Sequence, residues 1–171
     1  MPAIFQLNKQ FTIVAAAVCL LSFTRPMVKQ TDFSGTWTLN ESKSDGGQYG
    51  TGGMPKKITI LQDNGYLTIT KTTLARSGGE TIYTEALSPD GKEAESTVSN
   101  NGKRKAKMNW ENDGKQFDIN FTIAMSMQGQ PVEFKGLEKW NLSEDGKTLY
   151  VVFDVTTPQG SFSVKGGYDK Q

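Results

Sequence analysis

The sequence predicts an all-β protein, an antiparallel up-and-down meander of about eight to ten strands closed into a barrel. Two patterns carry this prediction. Turn residues recur at short intervals from Asp63 to the end of the chain, and apolar residues alternate with polar ones between the turns. No stretch after the first thirty residues combines helical spacing of apolar residues with a capping residue before it, so no long helix is expected there.

The turns combine glycine with residues such as asparagine, aspartate or proline, which suit tight hairpins. They fall at 63–65, 77–79, 89–91, 100–102, 112–114, 128–131, 144–146 and 158–160. Connections this short leave no room for crossovers, so consecutive strands should pair as antiparallel neighbours. A long meander then closes into a barrel or a strongly curved clam, which protects its edges. A Greek-key sandwich is the alternative, but it needs more long connections.

Each predicted strand alternates with a period of two, as expected when one face is buried. The opening strand carries Phe33 and Trp37, the strand near Glu93 is the weakest, and the clearest begins at Phe117. Gly136 could introduce a bulge that reverses the faces of its strand. In order, the predicted strands are 33–40, 56–62, 66–73, 80–87, 93–99, 103–111, 117–127, 132–142, 149–155 and 162–168.

One long connection, 41–55, interrupts this rhythm. It is rich in glycine, but it lacks the Gly-Lys-Ser/Thr of a phosphate-binding loop, and Met54-Pro55 leads into a strand and not a helix. It is interpreted as a flexible surface loop, with a ligand lid as the alternative, and Tyr49 is its candidate contact residue.

Composition narrows the function. The chain of 171 residues has no histidine, which excludes histidine-dependent nucleophiles and histidine-ligated metals. Its 19 basic and 18 acidic residues give a formal net charge of +1 and argue against a nucleic-acid partner. An enzyme would need converging carboxylates, such as Glu93 and Glu95, or a perturbed lysine or tyrosine. We therefore expect a non-catalytic, monomeric protein without a cofactor or metal.

Residues 1–30 are interpreted as a signal peptide followed by a short mature N-terminus, and residues 31–171 as a single domain. Lys9 precedes an uncharged run from Phe11 to Phe23, which is too short to span a bilayer. The mature protein is thus expected in the periplasm or secreted, without a transmembrane span. Lipidation at Cys19 is disfavoured because Val18 precedes it and the apolar run continues beyond it. Cys19 is the sole cysteine, so no disulfide is expected in the mature chain.

The opening segment Phe33-Ser34-Gly35-Thr36-Trp37 resembles the Gly-x-Trp motif of lipocalins. The segment from Trp140 to Leu149, Trp-Asn-Leu-Ser-Glu-Asp-Gly-Lys-Thr-Leu, is similar to one in small exported lipocalin-like proteins of bacteria. The resemblance implies a lipocalin-like (calycin-type) barrel with Trp37 at its closed end and the long loop at its open end. The basic residue that covers this Trp in lipocalins has no evident counterpart, because Lys165 is out of phase.

An aromatic lining of the barrel would suit a small apolar or amphipathic ligand, and the same side chains could instead fill the interior. Arg104 is in phase with inward residues, and Glu138 would be its partner for a polar head group if it points inward; an outward, solvated Glu138 is the alternative. The candidate ligand-binding residues are Trp37, Tyr49, Arg104, Phe117, Phe121, Met125, Phe134, Glu138, Trp140 and Phe153.

The favoured function is an exported lipocalin-like protein that binds a small apolar or amphipathic molecule without catalysis. The alternative is a structural or interaction module of the cell envelope whose barrel core is solid. Lys103, Lys105 and Lys107 form a one-sided basic stripe, which is expected to protect an outer strand surface, with contact to an anionic envelope polymer as the alternative.

Overall fold

A computed structural model describes residues 29–75, 78–98, 102–127 and 129–171. The predicted leader with Lys9 and Cys19 lies outside these residues, as do parts of three predicted hairpin turns. Within the described ranges, no helix is both long and apolar enough to cross a bilayer.

Ten strands make up the fold, and each predicted strand is present with bounds that differ by a few residues at most. Single 3-10 turns lie at Glu41–Lys43, Gly47–Tyr49 and Asn112–Gly114. The strands are β1 Gly35–Leu39, β2 Lys57–Asp63, β3 Tyr66–Leu74, β4 Glu80–Leu87, β5 Ala94–Thr97, β6 Lys103–Glu111, β7 Gln116–Met127, β8 Gln130–Leu142, β9 Thr148–Thr157 and β10 Gly160–Lys170.

All ten strands form one antiparallel sheet in the order β4-β3-β2-β1-β10-β9-β8-β7-β6-β5. The first strand pairs with the last, Trp37 opposite Lys170, and this pairing curls the meander into a nearly closed barrel. The predicted fold class is confirmed, and the Greek-key alternative is excluded. Strands β4 and β5 follow each other in the chain yet share no backbone pairing in the described residues, so a seam runs between them.

Strands β7 and β8 pair without a bulge, from Gln116 opposite Asn141 to Met127 opposite Gln130. The alternation of β8 is therefore unbroken, and Glu138 points into the barrel with only 2% of its surface exposed. The outward alternative for Glu138 is wrong. Gly136 has a different role: a Cβ there would lie 2.4 Å from Cζ of Phe121, so the glycine leaves room for the ring of the facing strand.

The closed end is packed by the segment that precedes β1. The Thr31 backbone N–H donates to the carbonyl of Gly114 (2.8 Å), and the Phe33 N–H donates to the side-chain oxygen of Gln62 (3.0 Å). Phe33 is fully buried, and its carbonyl accepts a hydrogen bond from the Trp37 indole (3.1 Å). The chain thus closes one end of the barrel with its own N-terminal segment.

The indole of Trp37 is fully buried, and the Nζ of Lys170 lies 5.1 Å from its ring centroid, a cation–π distance. The expectation that no basic residue covers this Trp is wrong. The sequence pattern drew attention to Lys165, whereas the residue that covers Trp37 is its register partner on β10.

The basic stripe faces outward and is paired with the neighbouring acidic residues. Lys103 lies 3.9 Å from Glu95, and Glu93 lies 3.3 Å from Lys105 and 3.9 Å from Lys107. Glu93 and Glu95 serve as counter-charges, so two of the three positive charges of the stripe are offset, which weakens the case for a polyanion contact.

Candidate functional site

A cavity of about 940 Å³ opens at the end of the barrel opposite Phe33. We call it the mouth cavity. The long β1–β2 connection and the β9–β10 hairpin form much of its wall. Besides glycines, its apolar residues are Met54, Pro55, Leu74, Phe153, Val155, Phe162 and Val164, and its polar residues are Gln48, Tyr49, Thr157, Gln159 and Ser161.

The long connection is fixed against the barrel at several points. Asp45 exchanges two backbone hydrogen bonds with Lys165 of β10, at 2.7 and 2.8 Å. The Asn40 side chain caps the first 3-10 turn by accepting the Ser42 N–H. The ring of Tyr49 then packs edge-on against Phe162 at 5.2 Å, although 63% of its surface stays exposed. The loop is thus attached to the mouth and contributes to its wall.

A buried ion cluster lies in the barrel interior. Its members, Lys71 of β3, Glu85 of β4, Arg104 of β6 and Glu138 of β8, are each at most 7% exposed. Lys71 donates to both oxygens of Glu138 (2.9 and 2.8 Å), and its Nζ lies 3.5 Å from Glu85. Arg104 donates through Nε and Nη2 to Glu85 (3.0 and 3.3 Å) and through Nη2 to Glu138 (3.0 Å).

Aromatic residues enclose this ion cluster. The Trp140 indole donates to Glu138 Oε2 at 3.0 Å. The guanidinium carbon of Arg104 lies 4.0 Å from the ring centroid of Phe121, and the Nζ of Lys71 lies 5.2 Å from that of Trp140. Two cations and two carboxylates therefore satisfy one another inside an aromatic shell, which is the arrangement that makes a buried charge tolerable.

The ion cluster also crosses the seam. Tyr83 of β4 donates to Glu85 Oε2 (2.9 Å) and shares a hydrogen bond with Ser96 of β5 (2.7 Å), while Arg104 reaches Glu85 from β6. Side chains thus connect the two strands that backbone hydrogen bonds do not join in the described residues.

The electrostatics of the ion cluster follow from this geometry. Burial by itself would raise the pKa of Glu138, but the charges of Lys71 and Arg104 and the hydrogen bonds from Lys71 and Trp140 hold that pKa below its ordinary value. Burial would lower the pKa of Arg104, and the two carboxylates raise it instead. Burial and the nearby charge of Glu85 raise the pKa of Tyr83, so its hydroxyl remains a donor.

Eight of the ten sequence-predicted site residues lie in three places. Tyr49 and Phe153 line the mouth cavity. Arg104, Phe121, Glu138 and Trp140 form or enclose the ion cluster. Trp37 and Phe117 belong to the packed closed end, where Phe117 stacks on Trp140 at 5.3 Å. Met125 and Phe134 are half-buried outside the described lining of the cavity.

Two members of the ion cluster were not among the predicted site residues, although the sequence carries a signal for them. Lys71 shares the alternation of Leu67 and Ile69, and Glu85 shares that of Leu87. A charged residue in phase with buried apolar neighbours on a strand indicates an internal partner. Part of the cavity wall was also missed. Met54 belongs to a loop whose path the sequence does not define, whereas the alternation of the last strand turns Phe162 inward, although it was not among the predicted site residues.

No protein-family model matches the chain, and neither does any of the curated proteins compared with it. Among solved structures, the zebrafish ileal bile acid-binding protein complexed with cholic acid is similar, with a TM-score of 0.52 and 17% sequence identity over 81% of this chain and 98% of that one. The likeness supports an antiparallel, lipocalin-like barrel fold. At this identity the likeness concerns the fold.

In the described residues, no group of three or more acidic or cysteine side chains is placed to hold a metal ion. The chemistry that the site offers is an apolar concave wall at the mouth, with neutral hydrogen-bonding groups at its edge and a self-compensated ion cluster deeper in the barrel.

Proposed function

We propose that the protein is an exported, non-catalytic binding protein that takes up a small apolar or amphipathic molecule in the mouth cavity. The observation that carries this proposal is the cavity itself, about 940 Å³ of space lined largely by apolar side chains, which is within the range of small-molecule sites. The similar zebrafish barrel is complexed with an amphipathic molecule, cholic acid, and this supports the same use of the fold here.

The proposal of a non-catalytic role rests on the ion cluster. Its carboxylates and cations are bonded to one another, so each would have to break ion pairs before it could act as an acid, base or nucleophile. These groups have a structural use in joining strands across the barrel. Ligand uptake therefore depends on shape and apolar contact.

The alternative is an envelope module with a solid core and no ligand. The closed half of the barrel fits that description, since Trp37, Phe117 and Trp140 are fully buried. The open half does not, because the mouth cavity remains above them. Two of the large exposed apolar side chains, Leu61 and Ile82, lie on different strands and near opposite ends of the barrel, so these two do not belong to one patch.

Export is proposed from the leader pattern around Lys9 and Phe11. Expression of the full chain in a bacterium and intact-mass measurement of the extracytoplasmic protein would test it. The expected product has lost a segment that ends between residues 21 and 30. A full-length chain in the cytoplasm would contradict export and leave the binding proposal untouched.

Binding is tested by titrating the purified protein with N-phenyl-1-naphthylamine, a neutral probe whose fluorescence rises in apolar sites. The variant V164W fills the cavity from β10 and should abolish the fluorescence increase. The matched control S163W places the same side chain on the exposed outer face of β10 and should retain it. Equal probe binding by both variants would overturn the mouth cavity as the site.

A further inference from the structure

The lining of the mouth cavity carries no formal charge in the residues that the structure describes. Its wall combines seven apolar residues with glutamine, threonine, serine and tyrosine, and none of its described residues is Asp, Glu, Lys or Arg. An ionised head group drawn into this wall would lose hydration without gaining a counter-charge.

The charges deeper in the barrel do not supply that counter-charge. Both oxygens of Glu138 accept hydrogen bonds from Lys71, and Arg104 is shared between Glu85 and Glu138. The formal charges of the four groups cancel, so an entering anion would have to displace a carboxylate from a cation. The ring centroid of Phe153, which belongs to the cavity wall, lies 5.7 Å from the Nζ of Lys71, whose ammonium is already bonded to Glu138.

Neutral hydrogen-bonding groups lie at the edge of the cavity. Gln159 occupies the exposed tip of the β9–β10 hairpin, Thr157 lies at the end of β9, and Gln48 comes from the opposing loop. Amide and hydroxyl groups of this kind can both donate and accept, which suits a hydroxyl or carbonyl group on a ligand. Phe153, Val155 and Val164 then offer an apolar wall for the remainder of the molecule.

We infer that the ligand of the mouth cavity is an electrically neutral molecule, an apolar body with a hydroxyl or carbonyl group that remains near Gln159 and Gln48. This inference rests on the proposed function, because it specifies the ligand class of the same cavity. A barrel that used internal cations to bind its ligand would instead select an anionic head group.

The test compares three ligands that differ only in head group, 1-decanol, decanoate and decylammonium, each used to displace N-phenyl-1-naphthylamine from the wild-type protein at pH 7.5. The neutral alcohol is expected to displace the probe at a concentration about tenfold lower than either ion, a difference that corresponds to about 1.4 kcal/mol. Displacement by decanoate or decylammonium as effective as that by decanol would overturn the inference. Failure of the probe itself to bind would instead overturn the proposed function.

A gain-of-charge variant tests where the polar group of the ligand lies. Q159K places an ammonium at the edge of the cavity and should strengthen decanoate binding at least threefold relative to decanol. The control L61K adds the same charge on the outer surface of β2, where Leu61 is 65% exposed, and should change neither ligand. A decanoate affinity that does not rise in Q159K, or rises equally in L61K, would contradict the placement.

Discussion

At the residue scale, Glu138 is the residue on which the ion cluster depends. Its carboxylate accepts hydrogen bonds from Lys71, Arg104 and Trp140, so E138Q leaves two buried cations short of a partner. We expect the free energy of unfolding to fall by about 3–5 kcal/mol in urea titrations. The control E133Q breaks an exposed pair with Lys135 on the same strand and should cost about 0–1 kcal/mol. Equal losses would mean that the cluster is not stabilising.

The same carboxylate gives the protein an acid dependence of known sign. Because the pKa of Glu138 is lower in the folded protein than its ordinary value of 4.5, its contribution to stability is present above that value and is lost as the pH falls through the folded pKa. The free energy of unfolding of the wild-type protein should therefore decrease as the pH is lowered below about 5. Urea titrations at a series of pH values measure this decrease. E138Q should show a shallower decrease; a parallel pair of curves would contradict this assignment.

In the sequence, Gly136 indicated a possible bulge in its strand. In the structure its role is to leave room for a packed side chain. A Cβ at this position would meet the Phe121 ring at 2.4 Å and the Asp154 carbonyl at 2.7 Å. G136A should therefore destabilise the protein by about 1–3 kcal/mol through overpacking. The control G52A adds a methyl group where no atom lies within 4 Å and should be nearly neutral. Thermal unfolding of the two variants makes the comparison, and a neutral G136A would count against the assigned contact.

At the element scale, the positions of the strands could be predicted from the sequence, but the place where the barrel stays open between two strands could not. A period of two is a local property of the sequence, so a strand can be predicted without knowing which strands pair with it. The predicted strands 80–87 and 103–111 have the same bounds as β4 and β6. The seam lies between β4 and β5 because these two strands are the edges of the sheet. Nothing in the sequence indicates that this consecutive pair, unlike the others, lacks backbone hydrogen bonds between its strands. The in-phase charge of Glu85 on β4 indicated an internal partner, and the structure supplies one in Arg104 of β6, across the seam.

The seam gives a prediction for Tyr83, whose hydroxyl contacts Glu85 on its own strand and Ser96 across the seam. Y83F removes both hydrogen bonds and should cost about 1 kcal/mol. Hydrogen exchange of the β5 amides, which pair only with β6 in the described residues, should accelerate more than exchange elsewhere. The control Y66F alters an exposed tyrosine at the start of β3. Unchanged exchange in β5 would indicate that Arg104 and Glu85 hold the seam without Tyr83.

At the scale of the whole molecule, the barrel is divided into a packed half and an open half. The sequence-based prediction placed the ligand among inward aromatics along the full length of the barrel, because strand alternation identifies inward residues but not the depth at which packing ends. The N-terminal segment with Phe33 and the stacked Phe117 and Trp140 fill one end. The cavity remains where the long loop and the last hairpin hold the walls apart.

This division predicts that stability and binding respond to different aromatic residues. F117A removes a fully buried ring from the packed half and should lower the free energy of unfolding by about 3–5 kcal/mol. F162A removes a half-buried ring from the cavity wall; it should cost at most about 1 kcal/mol while weakening N-phenyl-1-naphthylamine binding about tenfold. Urea titration and probe titration of both variants, compared at a temperature where F117A remains folded, make the test. Two outcomes would contradict the division of the barrel into a packed half and an open half. One is an F162A variant that is destabilised as much as F117A, and the other is an F162A variant that binds the probe as tightly as wild type.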